Sequence, residues 1–409
     1  MLVVSANWLF GDGTFAASAP AAHVGGWLQA VHRAAVRAGF RHDGSYHPLD
    51  GLQLVLAGDT FDCLMSTAWT GRMRPWHDGR AAQAARRAVL VHSARRGRRL
   101  LLGVSRWARH GLPVPTVDRR GRPVLATTTR VPVRVALLAG DRDSWLDDAC
   151  HEAARHGLCI GSVWSDDVTT VRHGIECDPC AALGESERSG GRGWQPTIGE
   201  SVAVDLVARF NVAVMATPAA PVCRSLVTAL AACGPLDIPT VMGRWLDSFR
   251  GSATTAGERA TELETVWRRS VAAWHRETTR QPPVTPSGFA ACDALAASFE
   301  AAARGQDRRV PGDTHELLAP RPPVASSGTT VLGHPPAACS TELERARVIC
   351  LGPTIASGWS IGGGSRRPGP PPTVVQRPQG WPRLQIQGME ADSPLPLATP
   401  TRTTIIDAA

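Results

Sequence analysis

Lysine is absent from this chain of 409 residues, and all 44 basic side chains are arginine. Tyrosine occurs once, as Tyr46, against 13 Trp, 40 Gly and 32 Pro. This usage reads as a GC-rich coding bias, so arginine in place of lysine is weak evidence for a guanidinium-specific role. Long apolar runs are missing too. No stretch approaches the roughly 20 apolar residues of a membrane helix. Leu2-Val3-Val4 is too short for the core of a signal peptide. The ten Cys lack the spacing of a disulfide framework. The expectation is a cytoplasmic protein with reduced thiols and no transmembrane segment. At 43% hydrophobic and 20% charged residues, the chain can build one large domain or two ordinary ones.

Acidic residues are missing from one place in particular. Residues 80–122 hold twelve Arg against Asp118 alone, a net of +11 within a whole-chain charge of +8, which leaves the remainder at −3. The protein is therefore not uniformly basic. It has one basic segment, and Arg95 and Arg96 within it are candidate anion-binding residues. The other reading of this segment is a solvated helix face. Trp76 just before it and Trp107 within it have the ring chemistry to stack bases, although no nucleic-acid-binding signature accompanies them.

Short apolar runs of strand length recur. They are Leu2–Val4, Leu52–Ala57, Val133–Leu138 and Thr329–Leu332, with a further candidate at Arg347–Leu351. Helical stretches lie between them, such as Trp27–Ala38 and Arg80–Val91. Strands alternating with helices predict an α/β fold. Residues 199–307 carry helix-period patterns and read as a helical insertion or cap. This divides the chain into a first core part (1–198), the insertion (199–307), a second core part (308–365) and a Pro-rich C-terminal extension (366–409). The segment 366–382, with six Pro in 17 residues, reads as loop or tail.

The polar residues that end these runs carry the functional signal, because open α/β sheets place ligands at the carboxyl ends of their strands. Gly58-Asp59-Thr60-Phe61-Asp62 ends one run and Gly140-Asp141-Arg142-Asp143 ends another. His173-Gly174 follows a candidate strand at Val168–Val171, and Gly333-His334 follows Thr329–Leu332. A single Gly-Asp of this kind is as consistent with a helix cap. Two carboxylates and two imidazoles, each at a strand end, suit a borderline divalent ion.

In order and spacing these motifs resemble those of the calcineurin-like metallophosphoesterases. The family's Gly-Asp-x-x-Asp is intact at Gly58–Asp62. Its Gly-Asn-His-Asp is answered by Gly140–Asp143, its mid-chain His by His173, and its Gly-His-x-His by Gly333-His334-Pro335-Pro336. Its opening Ser-Asp-x-His-x-Gly falls on Ala6–Gly11, where Asn7 and Leu9 stand at the ligand positions. The Arg within the third motif is similar to the branch that contains the UDP-2,3-diacylglucosamine pyrophosphohydrolases. The resemblance covers roughly residues 1–180 and 325–365. It implies a two-sheet αββα sandwich and a site for one divalent ion (Mn, Fe or Zn) on Asp59, Asp141, His173 and His334. The other ion of the family's pair would keep only Asn7, a weak position. Arg142 would take the place of a candidate general acid and stabilise phosphate charge instead.

One half of a dinuclear site is thus erased and the other preserved, a sorting that random decay would not be expected to give. Two-metal hydrolysis clamps the attacking and leaving oxygens between ions about 3.5–4 Å apart. A single ion predicts slow, substrate-restricted hydrolysis of a phosphate ester or pyrophosphate on a phosphorylated small molecule or lipid. The alternatives are a catalytically inactive scaffold that recruits a protein partner through the helical insertion, and an anion-binding module for nucleic acid or membrane headgroups. Three smaller expectations complete the reading. Cys177-Asp178-Pro179-Cys180 is a loop with two thiols rather than a zinc site. Asp12 makes a turn rather than serving as a substitute ligand. Trp267 and Trp274, seven apart, pack in a core.

Overall fold

The computed structural model describes residues 1–15, 21–174, 180, 196–218, 220–250, 255–280, 286–305, 328–332, 339–343, 346–350, 373–376 and 404–406. These form a mixed α/β protein with two larger sheets.

The first sheet contains β1 (Leu2–Ser5), β3 (Leu52–Ala57), β7 (Val133–Leu138) and β8 (Leu158–Gly161), mutually parallel. Between them in the chain come β2 (Phe10–Gly11) and β4 (Phe61–Asp62), which pair with each other, and a two-stranded ribbon of β5 (Leu112–Val117) and β6 (Pro123–Val131). The second sheet contains β9 (Val163–Ser165), β10 (Thr169–Arg172), β11 (Gly328–Leu332), β12 (Cys339–Leu343) and β13 (Ala346–Cys350), in the order β12-β13-β11-β10-β9. Two further strands, β14 (Thr373–Gln376) and β15 (Thr404–Ile406), extend the first sheet beyond β1. β14 corrects the reading of 366–382 as loop or tail. The β-branched run Thr373-Val374-Val375 between prolines pairs antiparallel with Leu2–Ser5.

The central strands read as near-continuous apolar runs because both of their faces are covered. Side chains alternate across the pleat. Val3, Leu54, Leu56, Val135 and Leu137 face the helical layer. Leu2, Val4, Val55, Ala57, Ala136 and Leu138 face the second sheet and meet Val171, Val331 and Trp164 there. The two sheets therefore stack on an apolar layer.

Helices α1 (Ala21–Ala38), α2 (Arg80–Arg96) and α3 (Arg98–His110) cover the other face of the first sheet, and a short α4 (Cys150–Arg155) precedes β8. The remaining helices lie between residues 198 and 303. They are α5 (Ile198–Ser201), a π-helical stretch (Val202–Ala208), α6 (Arg209–Met215), α7 (Ala220–Ala232), α8 (Ile238–Arg250), α9 (Thr255–Arg280) and α10 (Pro286–Ala303). Thr197 opens this segment with a reciprocal capping box to Glu200. Trp267 and Trp274 are fully buried, and Trp267 meets Phe210 edge-on at 4.9 Å. One apolar cluster runs without a break from Trp8 and Trp69 to Trp267. The helical segment therefore shares its core with the α/β part. Among the described residues no helix is long and apolar enough to cross a membrane, and no disulfide is present.

Candidate metal centre

Three of the expected ligands converge where the two sheets meet. β3 ends at Ala57, and the chain turns sharply through Gly58 (φ +90°) and Asp59 (φ +51°). A Cβ at Gly58 would lie 2.1 Å from His173 Nδ1, so glycine is required both for the turn and for the close approach of the ring. β7 leads into Gly140, where a Cβ would lie 2.2 Å from Asp59 Oδ1. Each glycine of the two Gly-Asp pairs thus makes room for another ligand side chain.

His173 follows β10 on the second sheet and reaches across to the first. Its Nδ1 lies 3.1 Å from the Ala57 carbonyl oxygen. Its Nε2 lies 2.7 Å from Asp141 Oδ1 and 3.6 Å from Asp59 Oδ1. One donor atom from each of Asp59, Asp141 and His173 falls within 4.8 Å of the others. Asp59 and His173 are buried, and Asp141 is half-buried at the margin.

The electrostatics are those of a cation site. Burial opposes protonation of His173, but the adjacent Asp59 and Asp141 carboxylates outweigh it and push its pKa up to about 10. Without a metal the imidazolium therefore supplies the positive charge between the carboxylates. The Ala57 carbonyl accepts from Nδ1–H, which leaves Nε2 as the atom able to ligate once its proton is lost. Two carboxylates around a neutral imidazole leave a buried double negative charge, which fits a divalent cation.

Asp143 and Asp62 support this centre, and sequence reasoning assigned neither of them a role. Asp143 Oδ1 accepts from the Gly140 N–H at 2.7 Å and its Oδ2 from the Phe61 N–H at 3.0 Å, which holds the two Gly-Asp loops together. Burial, reinforced by the Asp59 charge, raises the Asp143 carboxyl above its ordinary range. Asp62 accepts from the Met65 N–H and from Arg142 Nη1. Their place as the last residue of each Gly-Asp-x-x-Asp and Gly-Asp-x-Asp motif was the available signal.

Arg142, expected to stabilise phosphate charge, has its guanidinium engaged within the protein. Nη1 donates to Asp62 Oδ2 at 3.1 Å and to the Ala231 carbonyl at 2.7 Å, and Nη2 donates to the Cys233 carbonyl at 3.1 Å. Arg142 is buried, and its guanidinium ties the core to the end of α7. It contributes to the centre through its backbone, whose N–H donates to Asp59 Oδ1 at 3.1 Å.

The first-motif segment lies beside the centre. Asn7 (φ +58°) follows β1, and its N–H donates to the Gly58 carbonyl at 3.2 Å. Trp8 and Leu9 are buried in the apolar core, with Trp8 stacked on Phe10 and edge-on to Trp27. Of the aligned positions for the second ion, Leu9 is thus a buried apolar side chain, and Pro336 lies outside the described residues. Asp12 accepts from the Thr14 N–H and from the Ser66 hydroxyl, as expected of a turn residue. Trp76 packs in the core, away from any stacking role. Arg95 and Arg96 are exposed in the last turn of α2, with the Arg96 guanidinium against Gly13. His334 and Cys177 lie outside the described residues, and Cys180 is buried.

A small cavity of about 20 Å³, room for one water, separates Asp141 and Arg142 from Leu64, Met65 and the π-helical Val202, Ala203 and Val207. The half-buried carboxylate of the trio therefore faces an apolar wall built by the helical segment. No family model, curated protein or solved structure matches this chain.

Proposed function

We propose that this protein is a divergent metal-dependent phosphoesterase with the αββα sandwich of the calcineurin-like enzymes. The observation that carries the reading is the convergence of Asp59, Asp141 and His173, from three strand ends on two facing sheets, in the order that the family motifs prescribe. Asp59, Asp141 and His173 would hold one ion, with His334 as the fourth ligand expected from the motif. The ion would supply Lewis acidity toward a phosphoryl oxygen of a phosphate ester or pyrophosphate. The chain itself fixes the ligand geometry: Asp143 braces the two acidic loops, Ala57 orients the imidazole, and the apolar helical wall restricts water.

Trp8 and Leu9 in the core and the engaged Arg142 guanidinium favour a second reading, a catalytically inactive scaffold of the same fold. Turnover of an aryl phosphodiester by the manganese-loaded full-length chain separates the two. The first reading predicts turnover that falls by about 100-fold or more in Asp59→Asn. Silence of the loaded protein toward phosphomonoesters, phosphodiesters and pyrophosphates alike would leave the scaffold.

A further inference from the structure

We propose that the groove between α1 and α3 is a binding track for single-stranded nucleic acid, with Trp107 as the stacking platform and arginines on both rims as phosphate ligands. The surface lies on the outer helical layer and is independent of the metal reading.

α1 and α3 lie side by side. A Cβ at Gly25 would fall 2.8 Å from Arg99 Nη2, and one at Gly103 would fall 2.7 Å from Leu28 Cδ1. Further along, a groove of about 340 Å³ opens, lined by Leu28, Gln29, His32, Arg33 and Trp107. His32 is held in place by its contact with the Pro113 carbonyl at 2.8 Å. On α1, Arg33 and Arg37 are exposed four residues apart and form one rim. On α3, Arg99 and Arg106 are exposed seven apart and form the other. The 13 residues of α3 give a track about 20 Å long.

The charge pattern points to the occupant. α1, α2 and α3 contain no acidic residue at all. A coding bias explains arginine in place of lysine, but not the loss of Asp and Glu from three helices of a chain that has 36 of them. Solvated helix faces ordinarily mix both signs. Among the described residues Arg33, Arg37, Arg98 and Arg106 have no acidic partner, so their charge faces outward uncompensated. A cationic groove with an aromatic side chain is the chemistry that tracks a phosphodiester backbone and stacks its bases. A lipid surface fits less well, because Trp107 is half-buried and packs against the core instead of standing free for insertion, while the arginines around it are exposed.

The test is fluorescence anisotropy of labelled oligothymidylate and oligouridylate with the full-length chain, over a range of salt. The proposal predicts binding whose log K falls with log salt. Arg33→Glu combined with Arg106→Glu reduces the slope by about 1.4, at 0.7 for each phosphate no longer neutralised. Trp107→Leu weakens binding by roughly 5- to 150-fold with the slope kept. Arg280→Glu, a charge reversal on α9, changes neither, and thermal melts confirm that each variant is folded. No binding at low salt overturns the proposal. So does a Trp107→Leu variant that is folded and binds unchanged, an equal effect of Arg280→Glu, or tighter binding to phosphatidylserine vesicles than to either oligonucleotide.

Discussion

At Gly140 an added methyl group would fall 2.2 Å from Asp59 Oδ1 and 2.6 Å from the Asp59 backbone nitrogen. Neither atom can retreat, because the Asp59 loop is bonded to the chain after β1 through Leu9 N–H to the Asp59 carbonyl at 3.0 Å. Gly140→Ala is therefore expected to destabilise the fold by about 1–3 kcal/mol and to weaken metal binding. Urea denaturation with and without manganese measures both, and a variant as stable as wild type would contradict the packing described. The two carboxylates of the trio were legible in the sequence, because a Gly-Asp after an apolar run places a carboxylate at a strand tip. The role of Arg142 was not. Its partners are the carbonyls of Ala231 and Cys233, and backbone acceptors leave no trace in residue identity. His334 lies outside the described residues, so its part in the centre rests on the motif.

Among the elements, the π-helical stretch Val202–Ala208 is where the helical segment meets the core. Asp205 within it accepts from Arg74 Nε at 2.5 Å, and Arg209 and Glu277 complete the cluster. Burial pushes the Asp205 carboxyl up to about 6, against the pull of Arg74. Arg74→Met leaves that carboxylate buried without its main partner, at an expected cost of about 3–5 kcal/mol near neutral pH. A carboxyl whose folded pKa is raised binds its proton more tightly folded than unfolded, so stability falls as pH rises through the interval from 3.8 to about 6. Arg74→Met removes the pull that lowers this carboxyl, so its folded pKa rises further, and the penalty should shrink as pH falls from neutral toward about 6 and then level off. An equal penalty at neutral pH and at the acid end would show that Asp205 is not the group left without its partner. Helical periodicity made these helices readable from residues 199 onward. The π geometry and the Arg74 tie were not, because they depend on partners 131 and 203 positions away. The short β14 was hidden by the prolines around it, although its own residues are good strand formers.

On the scale of the whole molecule, two sheets meet on an apolar layer, and a charged trio sits at the carboxyl ends of their strands. The α/β class was legible because strands covered on both faces are written as unbroken apolar runs. Their stacking was not legible in the residues, since Leu2 and Val3 look alike in sequence while facing opposite layers. The central claim is that this junction grips one divalent cation. Calorimetric titration of manganese into the metal-free full-length chain near neutral pH, repeated in buffers of different ionisation enthalpy, tests it most directly. The account predicts one ion per chain and release of about one proton, because His173, with its pKa pushed up to about 10, must give up its proton to ligate. Asp59→Asn, which tolerates the same left-handed backbone, should abolish uptake. No uptake by the wild-type chain, or undiminished uptake by Asp59→Asn, would contradict it.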